Sequence, residues 1–190
     1  MKICIHQPAW VIRMNKREST VKTDSMGLSY HALVAAVAKV SHLRFRDARV
    51  LFDPIIREAA LIWMQELGVD SETHFDRLED AILNFASLIP DMGDFAVTAA
   101  PGGAVQIRIS GTCPFRRACQ IMKETTGLIE GCAEAITLLQ VIEQTCPQSE
   151  PLTYDFQPAQ RDDQACVIRL GTIAQIVLNR DHQNLYTPSV

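Results

Sequence analysis

Residues 105–110 read Val-Gln-Ile-Arg-Ile-Ser, apolar and polar side chains in strict alternation. Side chains of a strand point to opposite faces in turn, so Val105, Ile107 and Ile109 share one face and Gln106, Arg108 and Ser110 the other. Such a strand is half-buried. Pro101-Gly102-Gly103 separates it from a second extended run at 95–100, which makes a β-hairpin. Residues 152–157 and 165–170 repeat the arrangement across a polar turn at 158–164.

Elsewhere the apolar period is helical. Residues 28–43 carry Leu33, Ala36, Val37 and Val40 at helical spacing. Asp53-Pro54 reads as a helix start, since Asp caps free N–H groups and Pro needs none in a first turn. That helix carries Ile56, Ala60, Trp63 and Met64 and stops at Gly68. Further helices are expected at 75–88, at 115–126 up to Gly127, and at 128–145 with a broad apolar face over Ile129, Cys132, Ala133, Ile136, Leu139 and Val141. Residues 172–178 either extend the sheet or form a short helix. Clustered strands joined by tight turns predict an α+β domain, an antiparallel sheet with helices packed on one face. Its expected bounds are 28–180, after a short strand at 2–5 and a polar arm up to 27, and before a polar tail at 181–190.

The chain has 190 residues, 47% of them apolar, and a net charge of −4. One domain is the default at this length. The basic residues are scattered, which argues against nucleic-acid binding. No run is continuous enough for a secretory signal or a membrane span. The expectation is therefore a cytoplasmic protein, where thiols stay reduced.

Five of the six cysteines lie at or beyond position 113. Cys113 occupies a Gly-Thr-Cys-Pro turn where a strand gives way to a helix. Free N–H groups and the helix dipole, with Arg116 and Arg117 close by, are expected to lower its thiol pKa. That makes it a candidate nucleophile or ligand, the alternative being a buried thiol closing the joint. Cys119, six residues on, shares a face with it only roughly. Cys132 lies on an apolar helical stripe, and Cys166 shares a strand face with Ile168. Glu130 and Glu134, one turn apart, read as a wet helix face. The histidines form no HxH or HxxxH pair. Trp63, Phe115 and Met122 are candidates to line a ligand pocket, and Arg108 to meet a ligand carboxylate.

Cys132, Asp155 twenty-three residues later and Cys166 after eleven more resemble the 4-vinyl reductase domain. The resemblance implies an α+β fold around an apolar pocket and a structural zinc held by Cys132, Asp155 and Cys166. Pro158 stands in the fourth ligand slot, with Cys113 or Cys146 as substitutes. The Cys113-Pro114 turn with Cys132 and Cys166 is also similar to the L-2-amino-thiazoline-4-carboxylic acid hydrolase family. The first resemblance implies a small-molecule binding protein for a hydrophobic or tetrapyrrole-like ligand. The second implies a hydrolase of a small cyclic amidine or thiazoline carboxylate, with Cys113 as nucleophile. A homodimer is expected, and a third reading makes the chain a dimeric scaffold that meets its partner through the apolar face of 128–141.

Overall fold

Two hairpins form one sheet. β1 (Asp94–Ala99) pairs with β2 (Val105–Ser110), and β3 (Leu152–Gln157) with β4 (Cys166–Thr172). β2 and β4 join the hairpins side by side in the order β1-β2-β4-β3, every neighbour antiparallel. The register sets Val105 opposite Leu170 and Ile107 opposite Ile168, so the large apolar residues Phe95, Val97, Ile107, Ile109, Phe156, Ile168 and Leu170 share one face. The other face carries Gln106, Arg108, Asp155 and Arg169. This is the α+β arrangement expected from the alternating pattern.

The structure is a computed structural model that describes residues 25–178, apart from 48, 70–71, 90–93, 111–112, 128, 130, 148 and 160–163. The expected strand at 2–5, most of the polar arm and the tail lie outside the described residues. Five helices accompany the sheet: α1 (Ser25–Phe45), α2 (Arg49–Glu66), α3 (Leu78–Leu88), α4 (Arg116–Thr126) and α5 (Ala133–Thr145). Residues 173–178 are also helical, which settles the choice left open for that segment.

α5 is the centre. It packs against β3 and β4 on one side, α3 on another and α2 behind. Every residue from Ala133 to Ile142 is buried. The expected partner-facing surface at 128–141 is thus consumed inside the fold, which corrects the reading of it as a dimer face. α1 and α4 pack on each other beside α2, around Val34, Ala38, Phe115, Ala118 and Met122. Gly131 permits this arrangement for reasons of space. A Cβ there would sit 2.9 Å from the Phe52 ring.

Helix ends explain where the expected boundaries moved. α2 begins at Arg49 rather than Asp53, because a distant side chain caps it. The buried Ser41 hydroxyl of α1 accepts the Leu51 N–H at 3.1 Å and donates to the Asp47 carbonyl at 2.8 Å. Pro54 is carried inside the helix. At the far end Gly68 has φ +73°, Val69 N–H donates to Met64 and Gly68 N–H to Gln65, the paired bonds of a Schellman stop. α3 starts three residues later than expected because the Phe75 N–H is taken by the carbonyl of Thr145 at 2.9 Å.

Ile107 is fully buried on the covered sheet face, whereas Leu43 is 67% exposed. Ile107→Ala is expected to lower the unfolding free energy by about 2–5 kcal/mol, and Leu43→Ala by no more than about 0.5 kcal/mol. Urea denaturation reads both. Equal losses would show that the sheet face is not the core.

Candidate functional site

Two helix N-termini converge on the covered sheet face, and a cavity of about 120 Å³ lies between them. The sheet contributes Ile109, Phe156, Cys166 and Ile168. α4 contributes one stripe, Arg116, Cys119, Gln120 and Lys123, at helical spacing. Its exposed members Gln120 and Lys123 bound the solvent side. α5 contributes Cys132 and Glu134 from its first turn. Cys113, in the approach to α4, closes the ring.

One cysteine occupies a capping position, and another lies two residues before the N-cap Phe115 of α4. Cys132 is the N-cap of α5, and the Ala135 N–H interacts with its sulfur. The Phe115 N–H does the same for Cys113. Cys166 sulfur accepts the Ala159 N–H at 3.4 Å across the last hairpin turn. The Cys166 thiol therefore satisfies a backbone donor of its turn, whereas Cys132 makes no side-chain capping hydrogen bond at the start of α5.

The expected acidification of Cys113 is reversed. Burial pushes its thiol well above the ordinary value of 9.0, and Glu134 pushes further, against a smaller downward pull from the Phe115 N–H. Cys119 is pushed up to about 12, by burial first and Cys166 second. Cys132 is raised by burial and then by Cys119 and Cys113. A low-dielectric wall disfavours thiolate more than one helix end favours it. These thiols are neutral and soft at pH 7.

Glu134 is the other departure. It is 1% exposed, and neither carboxyl oxygen has a hydrogen-bond partner among the described residues. Burial alone raises it from 4.5 to about 8. A buried carboxylate without a counter-ion gives up its charge, so at neutral pH this group is an uncharged acid.

Of the expected ligand-contacting residues, Cys113 and Phe115 line the cavity. Trp63 packs behind Phe115, ring centres 6.0 Å apart. Met122 shares a helical face with Ala118 and points into the α1 contact instead. Arg108 lies on the opposite sheet face, exposed, in an open depression with Gln157 and Val167. Of the expected zinc set, Cys132 and Cys166 meet at the cavity but Asp155 does not. The register sets Asp155 against Arg169 on the far face, where the two form an ion pair at 3.3 Å. Cys146 is no substitute, since it ends a 13-residue helix that Cys132 begins, about 20 Å away. Among the described residues no group of three or more His, Cys, Asp or Glu is placed to hold a metal ion. The Cys132, Asp155 and Cys166 set does not fit zinc.

Sequence reasoning missed Glu134, Cys119 and the rim residues Arg116 and Lys123 as members of this site. One signal for Glu134 was present. It is the sole charged residue between Gly131 and Ile142, and a helix apolar all round is buried with everything on it.

Compared with known proteins, the chain matches no family model and no curated protein. No helix among the described residues is long and apolar enough to cross a membrane.

The raised Glu134 makes stability depend on pH in a defined direction. Between about 4.5 and 8 the folded chain holds a proton that the unfolded chain has released. The group's contribution to stability is therefore lost as pH rises through that window and is level above it. Glu134→Gln is expected to remove this fall. Urea midpoints of both proteins across the window read the difference, and parallel curves would show that Glu134 is not buried as described.

Proposed function

We propose that this chain is a small-molecule binding protein, and that the ligand sits in the thiol-lined cavity between α4, α5 and the sheet. The observation that supports it most is Glu134, a buried acid in the cavity wall with neither oxygen partnered among the described residues. Buried polar groups in folded chains are nearly always satisfied, and one left bare beside a cavity has its partner in whatever fills it. Apolar walls with a few convergent polar groups are the usual make-up of a ligand site.

Size narrows the ligand. A cavity of about 120 Å³ is close to the roughly 150 Å³ that takes benzene in an engineered core. It is below the roughly 300–1,000 Å³ of sites for drug-sized molecules. The ligand of this reading is one ring or its equivalent, and the tetrapyrrole end of the expectation is set aside. Zinc plays no part in it. A homodimer, if formed, uses another face, and Leu33, Leu43 and Ile62 are exposed on α1 and α2.

A second reading is favoured by one observation: Cys113 and Glu134 line the same cavity, and Glu134 raises the Cys113 thiol pKa. In a hydrolase of a small cyclic amidine or thiazoline carboxylate, the Cys113 S–H would add across the ring C=N. Sulfur bonds the carbon as the C=N π bond breaks, and Glu134 gives its proton to the ring nitrogen and takes the thiol proton in exchange. Cys113→Ser would then abolish turnover. The raised thiol pKa of Cys113 opposes attack at neutral pH, which ranks binding first.

Native mass spectrometry of protein fresh from cells is expected to show one retained small molecule. Cys119→Phe, which places a ring in the cavity from α4, is expected to lose it while keeping the far-ultraviolet spectrum of the wild type. A wild type that carries nothing and gains no thermal stability from toluene or phenol would overturn the binding reading.

A further inference from the structure

Among the described residues Glu134 has no counter-ion. Burial raises its carboxyl, and the thiols Cys113 and Cys132, each raised in part by Glu134, line the same cavity. Arg116 and Lys123 line the same cavity on the α4 side, yet no nitrogen of either is bonded to a Glu134 oxygen. We propose that the cavity takes a one-ring organic base, bound as its cation against the Glu134 carboxylate. This rests on the cavity being a ligand site and adds the chemical class of the ligand.

A neutral hydroxyl or amide would meet a protonated acid and leave the pair uncharged. A base does more, because it converts two neutral groups into a charge-assisted hydrogen bond, roughly twice as strong as a neutral one. The proton balance closes without a co-reactant. The Glu134 O–H bond breaks, the ring nitrogen gains the N–H bond, and at neutral pH no net proton is exchanged with solvent. The rings of Phe115 and Phe156 line the cavity and offer π faces to the cation. The cationic rim of Arg116 and Lys123 repels a ligand already charged, so the neutral base is the species that enters.

The test compares 4-methylimidazole with 4-methylpyrazole, which share size, shape and an N–H but differ in basicity, with toluene as the apolar control. By calorimetry the wild type is expected to prefer the imidazole over the pyrazole by at least about tenfold, the least a hydrogen bond to a charged group provides. Glu134→Gln is expected to erase that preference while leaving toluene affinity within about twofold. A second measurement needs no variant: ring-proton chemical shifts of bound 4-methylimidazole, at a pH where the free probe is neutral, are expected to be those of the imidazolium. Equal affinity for imidazole and pyrazole, a preference that survives Glu134→Gln, or a neutral spectrum for the bound probe would each overturn the proposal. Toluene binding without base preference would overturn this inference alone, and no binding by any probe would overturn the ligand-site reading with it.

Discussion

Helix α5 is apolar on nearly every side, and the rest of the fold is arranged to keep water from it. A helix of this kind has no wet face to offer, so it needs a neighbour in each direction. The sheet supplies one, α3 another, and α2 a third. Polar groups on α5 are paired where they reach its ends. Arg57 of α2 bonds Gln140 at 3.0 Å and also Glu143, and the Thr145 carbonyl receives the Phe75 N–H. Burial of this one helix determines the layering of the molecule and brings its first turn to the covered sheet face.

The site is a by-product of that burial at a place where the packing stays open. Cys132 and Glu134 are drawn inside with the first turn of α5. The thiol, small and weakly polar, is buried at little cost. The carboxyl finds nothing, and loses its charge instead. The same apolar surroundings that keep the thiols protonated keep the acid protonated. One cause, exclusion of water, therefore accounts for a cavity with soft neutral walls and a single group able to change its charge when a partner enters.

Much of the fold was legible in local pattern. Alternation in 105–110 placed Ile107 and Ile109 on the covered face, and the same rule put Cys166 with Ile168. The stops at Gly68 and Gly127 followed from the left-handed backbone that glycine adopts readily, φ +73° and +78°. Boundaries that depend on distant partners were not legible. Nothing near Arg49 signals that Ser41 will cap the turn after it, and nothing near Phe75 that its N–H belongs to Thr145. Cys113, Cys132 and Cys166, which the sequence singles out through their clustering in one half of the chain and through family resemblance, line one cavity. Asp155 was grouped with them by spacing along the chain, and strand alternation sends it to the other face.

By itself the sequence determined the periodicities, and with them the elements, the two faces of the sheet and the apolar girth of α5. These are local properties, because side-chain direction in a strand or helix follows from backbone geometry alone. Only the tertiary structure decided the ionisation of the site. Whether Glu134 is a wet surface carboxylate or a buried neutral acid, and whether Cys113 is activated or silenced, depends on how much water remains beside each group. That is set by residues as far off as Ile109 and Phe156, which no spacing along the chain connects to either.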